Sequence, residues 1–146
     1  MSTTEQLIIT KNFQIAAETV FNAWVDPDII KQWLFKSESN EIVNADTDLT
    51  AGGRFSILEL SEGEEIDHYG IYKEINYPST LVFSLKASKH FTEETEVSIH
   101  IESRDWGSKM TFTQTGIDPS KTETQWKQML TNLQNLIDED QEEEDI

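Results

Sequence analysis

In three segments between Leu81 and Thr113, apolar side chains return on every second position. Leu81, Phe83, Leu85 and Ala87 alternate with Val82, Ser84 and Lys86, and Val97, Ile99 and Ile101 alternate with Glu96, Ser98, His100 and Glu102. Met110 and Phe112 alternate in the same way with Lys109, Thr111 and Thr113. A period of two marks strands with one face turned toward a core. The period changes after Gly116. Trp126, Met129, Leu130, Leu133 and Ile137 recur at helical spacing, with Lys127, Gln128, Asn132, Gln134 and Asn135 on the other side. This predicts a long amphipathic helix over residues 118–137, begun either by Asp118 with Pro119 or by Thr122 with Gln125 as a capping box.

The N-terminal half is more mixed. Leu7 to Ile15 reads as a strand with an irregularity at Lys11 and Asn12. Ala17 to Val25 switches to helical spacing through Val20, Phe21 and Trp24. Asp26 and Pro27 then close that helix and open a second one carrying Ile29, Ile30, Trp33 and Leu34. The polar stretch from Lys36 to Asp48 holds a strand at Glu41 to Ala45, and Gly52-Gly53 marks a turn. Arg54 to Leu60 and Ile66 to Ile75 read as strands joined by a turn at Ser61 to Glu64. Phe55 and Ile57 alternate in the first, while Leu58 and Leu60 put apolar groups on its other face. In the second, Tyr72 and Ile75 lie in opposite phases, as at a bulge, and its inward face stays open.

The order is a strand, two short helices, about six antiparallel strands and one long helix, which defines an α+β fold. A sheet apolar mainly on one face needs a cover, and the terminal helix is the long element left to provide it.

A chain of 146 residues suffices for one domain with a core. We assign residues 1–137 to that domain and expect residues 138–146, seven of them acidic, to form a disordered tail. With 28 acidic and 11 basic side chains the formal charge is −17, a field that repels nucleic acid and anionic membranes. The absence of cysteine excludes disulfides and thiolate chemistry. No apolar run exceeds three residues, where a membrane span needs about 20. Met1 to Gln6 does not read as a signal peptide, so the expectation is a cytoplasmic protein without membrane insertion. His68, His90 and His100, the last two placed in a loop and on a polar strand phase, lack metal-ligand spacing, and no phosphate-binding glycine loop occurs. Neither metal nor cofactor is expected. Because no catalytic constellation stands out, binding is expected rather than catalysis.

Several segments together resemble a known family. They are Val20-Phe21-Asn22-Ala23-Trp24-Val25-Asp26-Pro27 with Trp33, then Gly52-Gly53-Arg54-Phe55 and Gly70-Ile71-Tyr72-Lys73-Glu74-Ile75 followed by Pro78, Leu81, Val82 and Phe83. Gln114-Thr115-Gly116 with Trp126 completes the set. In order and spacing they are similar to domains related to the activator of the 90-kilodalton heat-shock-protein ATPase, of the START-like or SRPBCC superfamily. The resemblance implies a helix-grip fold, in which a curved antiparallel sheet wraps a long C-terminal helix. It also implies a pocket between the two, used across the superfamily for lipids, sterols, polyketides and other apolar molecules. Some relatives are polyketide cyclases, and others bind or regulate proteins.

Such a pocket would be lined by Phe55, Ile57, Tyr72, Phe83, Leu85, Ile99, Ile101, Met110, Phe112, Trp126, Met129, Leu130 and Leu133, a set that could equally fill a core. Tyr72 and Trp126, with Tyr69 as a weaker candidate, could orient a ligand through their polar atoms or spend them on internal hydrogen bonds. Glu74 would act as a base if it faced inward with Tyr72; on the surface it would pair with Arg54 or Lys73. The leading expectation is binding of a small apolar or amphipathic molecule. The alternatives are a chaperone-associated interaction module and a polyketide cyclase-like enzyme.

Overall fold

The computed structural model describes residues 6–87 and 91–144, the side chains of 91–93 and 138–144 excepted. The alternating segments become β1 (Gln6–Phe13), β2 (Asn40–Thr47), β3 (Arg54–Ser61), β4 (Glu64–Asn76), β5 (Thr80–Ala87), β6 (Phe91–Arg104) and β7 (Gly107–Thr115). All pair antiparallel in one sheet of order β1-β7-β6-β5-β4-β3-β2. β1 lies at one edge and β2 at the other. The chain between them forms α1 (Ala17–Val25) and α2 (Pro27–Trp33), which pack against the sheet.

Most of the strand alternation appears as predicted. Val97, Ile99, Ile101, Met110 and Phe112 are all buried on the inner face. β1 departs from expectation: it pairs with β7 without interruption from Gln6 opposite Thr115 to Phe13 opposite Ser108, so Lys11 and Asn12 form no irregularity. Lys11 occupies an inward phase at the sheet edge, and its long chain carries the ammonium to the Thr131 hydroxyl, 3.4 Å away. In the β3–β4 hairpin, Glu62 and Gly63 both take positive φ, the geometry of a two-residue turn that matches strand twist.

The inward phase of β3 is Phe55, Ile57 and Glu59, and that of β4 is Ile66, His68 and Tyr72. The expected bulge lies between Tyr72 and Glu74, where the β4–β5 register shifts. Gly70 is needed where β4 and β5 come close, because a Cβ there would sit 1.8 Å from the Ser84 carbonyl oxygen. The Ser84 hydroxyl instead accepts the Ile71 N–H at 3.0 Å.

Capping follows the sequence closely. Asp26 accepts the Asp28 N–H at 2.9 Å, with Pro27 in the first helical position of α2. Of the two starts read for the last helix, Asp118 with Pro119 forms its cap, whereas Thr122 and Gln125 form no capping box, because the Thr122 hydroxyl donates to Gln114. Asp118 caps a 3-10 turn at Pro119–Lys121 by accepting the Ser120 N–H, and α3 (Glu123–Glu144) then begins with the Trp126 N–H donating to the Thr122 carbonyl. The helix passes Ile137, where apolar spacing ends, and continues to Glu144. His90 and the side chains of the acidic tail lie outside the described residues.

The space between sheet and α3 is filled from α1. Trp24 meets Trp33 edge-on at 4.7 Å and lies over Phe112 and Trp126 at 6.3 and 6.2 Å between ring centroids. Its indole N–H points at the Met110 sulfur, 3.4 Å away. Among the described residues no helix is long and apolar enough to cross a membrane, and no three side chains gather as metal ligands.

Candidate ligand-binding site

Beside this packed centre the structure opens into a cavity of about 520 Å³. Three segments enclose it: the α2–β2 connection at Phe35, Lys36, Ser37 and Asn40; the inner face of β3, β4 and β5 at Glu59, His68 and Leu85; and the chain from Ile117 through the first turns of α3 to Met129. That volume lies within the range of about 300–1,000 Å³ usual for small-molecule sites.

Strand register builds the floor. Ile57 stands opposite His68 and Glu59 opposite Ile66, which makes Glu59 and His68 diagonal neighbours on the inner face. His68 Nε2 and Glu59 Oε1 share a hydrogen bond of 2.8 Å, and both residues are buried. Asn40 donates to the other carboxylate oxygen at 2.7 Å, and through the same amide nitrogen to the Phe35 carbonyl at 2.7 Å. A buried carboxylate thus has a partner at each oxygen, which offsets its desolvation.

Phe35 forms a wall. It sits in the left-handed region at φ 61, its N–H points at the Met129 sulfur at 2.9 Å, and its ring lies flat on His68 and edge-on to Trp126. On the opposite side, Gln114 anchors the start of α3. Its carbonyl oxygen accepts from the Trp126 indole at 3.1 Å and from the Thr122 hydroxyl at 2.9 Å, while its amide donates to Thr95 at 3.2 Å. Thr122 therefore spends its hydroxyl on the sheet rather than on a helix cap.

The residues expected to line a pocket separate into three groups. Leu85, Trp126 and Met129 line the large cavity. Phe55, Ile57, Tyr72 and Phe83, again with Trp126, line a gap of about 10 Å³ next to Trp24, room for about one water, and Phe55 also borders a shallow concavity of about 470 Å³. Ile99, Ile101, Met110, Phe112, Leu130 and Leu133 are buried in the core and line neither. The Trp126 N–H is committed to Gln114, the internal alternative read for it. Tyr72 is buried, and its hydroxyl has no hydrogen-bond partner among the described residues; burial first, and the charge of Asp48 second, push its ionisation well above the usual range. Tyr69 is exposed on the outer face. Glu74 is exposed beyond the bulge, accepting from Asn76 at 2.8 Å, so it does not face the cavity.

Phe35, Asn40, Glu59 and His68 escaped the sequence reading. Two signals could have found the pair on the floor: Glu59 continues the spacing of Phe55 and Ile57, and His68 lies two residues from Ile66 on one side and four from Tyr72 on the other.

A single antiparallel sheet gripping a C-terminal helix, with a cavity at one end of the interface, defines a helix-grip protein of the START type. The profile of the family described as "Activator of Hsp90 ATPase homolog 1-like protein" matches residues 14–138, and the chain belongs to that family. No curated protein matches it. Among solved structures, it is similar to an AHSA1-like protein from Aeromonas hydrophila at 23% identity and a TM-score of 0.78, over 89% of this chain and 90% of that one. A protein from Chromobacterium violaceum is similar at 19% identity and a TM-score of 0.80, over 92% and 98%. One from Rhodobacter sphaeroides is similar at 15% and 0.81, over 91% of each. These likenesses concern the fold.

Proposed function

We propose that this protein binds a small amphipathic molecule in the cavity between the α2–β2 connection, the sheet and the start of α3, without transforming it. The observation that carries the reading is the cavity itself: about 520 Å³ beside a core closed by Trp24, with Phe35, Leu85, Trp126 and Met129 as apolar walls over a polar floor of Glu59, His68 and Asn40. Apolar walls supply affinity by burying ligand surface, and a few placed polar groups fix orientation. Glu59, His68 and Asn40 hold one another in place by hydrogen bonds, so the polar floor is preorganised before a ligand arrives.

Native mass spectrometry of the purified protein, followed by titration with fatty acids, sterols and flavonoids while reading tryptophan fluorescence, tests the proposal. Saturable binding of one class, weakened when Met129→Trp fills the cavity, is the expected result. Absence of binding across the panel, with only proteins recovered as partners, would favour an interaction module instead.

A further inference from the structure

The cavity departs in charge from the rest of the molecule. The chain holds 28 acidic and 11 basic side chains, yet two of the basic ones, Lys36 and Lys121, line this one cavity, against a single carboxylate, Glu59. Glu59 is turned toward His68 and Asn40, which occupy its two oxygens. Neither lysine forms an ion pair with a carboxylate among the described residues. Lys36 is half-buried, and its ammonium is held by the carbonyls of Ser37 and Asn40, leaving donor capacity unused. Lys121 stands in the 3-10 turn before α3, with no side-chain hydrogen bond among the described residues. The carboxylate that feels its charge, Asp118, has an oxygen committed to the N–H and hydroxyl of Ser120.

Two cations beside an apolar hollow, on a protein that repels anions elsewhere, form a selective trap. An anion can be neutralised there while its apolar body is buried, whereas a cationic amphiphile meets two like charges. Resting on the cavity reading above, we propose that the ligand is a monoanionic amphiphile. It consists of an apolar body with one carboxylate or similarly compact acid group, held between Lys36 and Lys121.

Isothermal titration with decanoate, decanol and decyltrimethylammonium tests this, because the three share an apolar chain and differ in head-group charge. Decanoate binds about ten-fold tighter than decanol, and the cation binds weakest. Added salt weakens decanoate binding and leaves decanol binding nearly constant. Lys121→Gln, at an exposed position, reduces the decanoate preference, and the double change Lys36→Gln with Lys121→Gln brings the decanoate-to-decanol ratio close to one. Decanol binding as tightly as decanoate, or a preference that survives the double change, overturns the anion inference and leaves the cavity reading standing. Failure of all three molecules to bind overturns both.

Discussion

Phe35 lies face to face with His68, their ring centroids 3.7 Å apart and their planes within 6° of parallel. One residue thereby covers the buried Glu59–His68 pair and walls the cavity. It does so from a backbone conformation, φ 61, that disfavours any side chain. Replacing Phe35 by Ala keeps that strain and loses the ring, so stability in urea falls by about 2 kcal/mol. Phe35→Gly loses the same ring but accepts positive φ freely, and it is therefore expected to cost less than Phe35→Ala. The reverse order would mean that the backbone is not strained there.

The Glu59–His68 bond predicts strong coupling. Glu59→Ala or His68→Ala alone leaves a buried polar partner behind and costs about 3 kcal/mol. Removing both leaves less unsatisfied, so the double variant falls short of the sum by about 1 kcal/mol or more in a denaturation cycle. Additive losses would show that the two act independently despite their 2.8 Å contact.

Gln114 ties β7 to α3 through Trp126 and Thr122. Gln114→Leu preserves bulk but strands a buried indole N–H, at a cost of about 2 kcal/mol. In a Trp126→Phe background that N–H is gone, and the same substitution costs measurably less. Equal costs in the two backgrounds would remove Trp126 from the network.

Tyr72 gives a prediction at alkaline pH. Its folded-state ionisation is shifted upward, chiefly by burial and further by Asp48. Above the ordinary tyrosine value of about 10, the unfolded chain loses the phenolic proton while the folded one keeps it, so stability falls as pH rises. Tyr72→Phe removes this contribution and flattens the stability profile between about pH 9 and 11. At neutral pH it is expected to be neutral or slightly stabilising, because the buried hydroxyl has no partner among the described residues to lose. An unchanged alkaline slope would place the titration elsewhere.

The fold was largely legible because its strands and last helix bury regular stripes. In β6 and β7 every inward position from Val97 to Ile101 and from Met110 to Phe112 is apolar, so period two stands out. β3 and β4 were harder to read, since the inward positions taken by Glu59, His68 and Gly70 carry no hydrophobic signal and Leu58 and Leu60 supply a competing one on the other face. The polar floor of the site and the ambiguity of these strands thus have one cause. The cavity's position could not be read from periodicity either. Which apolar residues line a space and which fill it depends on Trp24, which enters from α1 and closes the centre against Phe112 and Trp126. The end bordered by Leu85, Trp126 and Met129 stays open.

Where the ligand sits is read most directly by mapping amide chemical shifts of ¹⁵N-labelled protein during titration with decanoate. Binding beneath Phe35 moves the signals of Phe35, Lys36, Asn40, Glu59, His68, Leu85 and the stretch from Thr122 to Met129 together, with one saturation curve. Shifts centred instead on Arg54, Tyr69 and Lys86, which border a concavity of about 470 Å³ on the outer face, would contradict this site, as would no shifts at all.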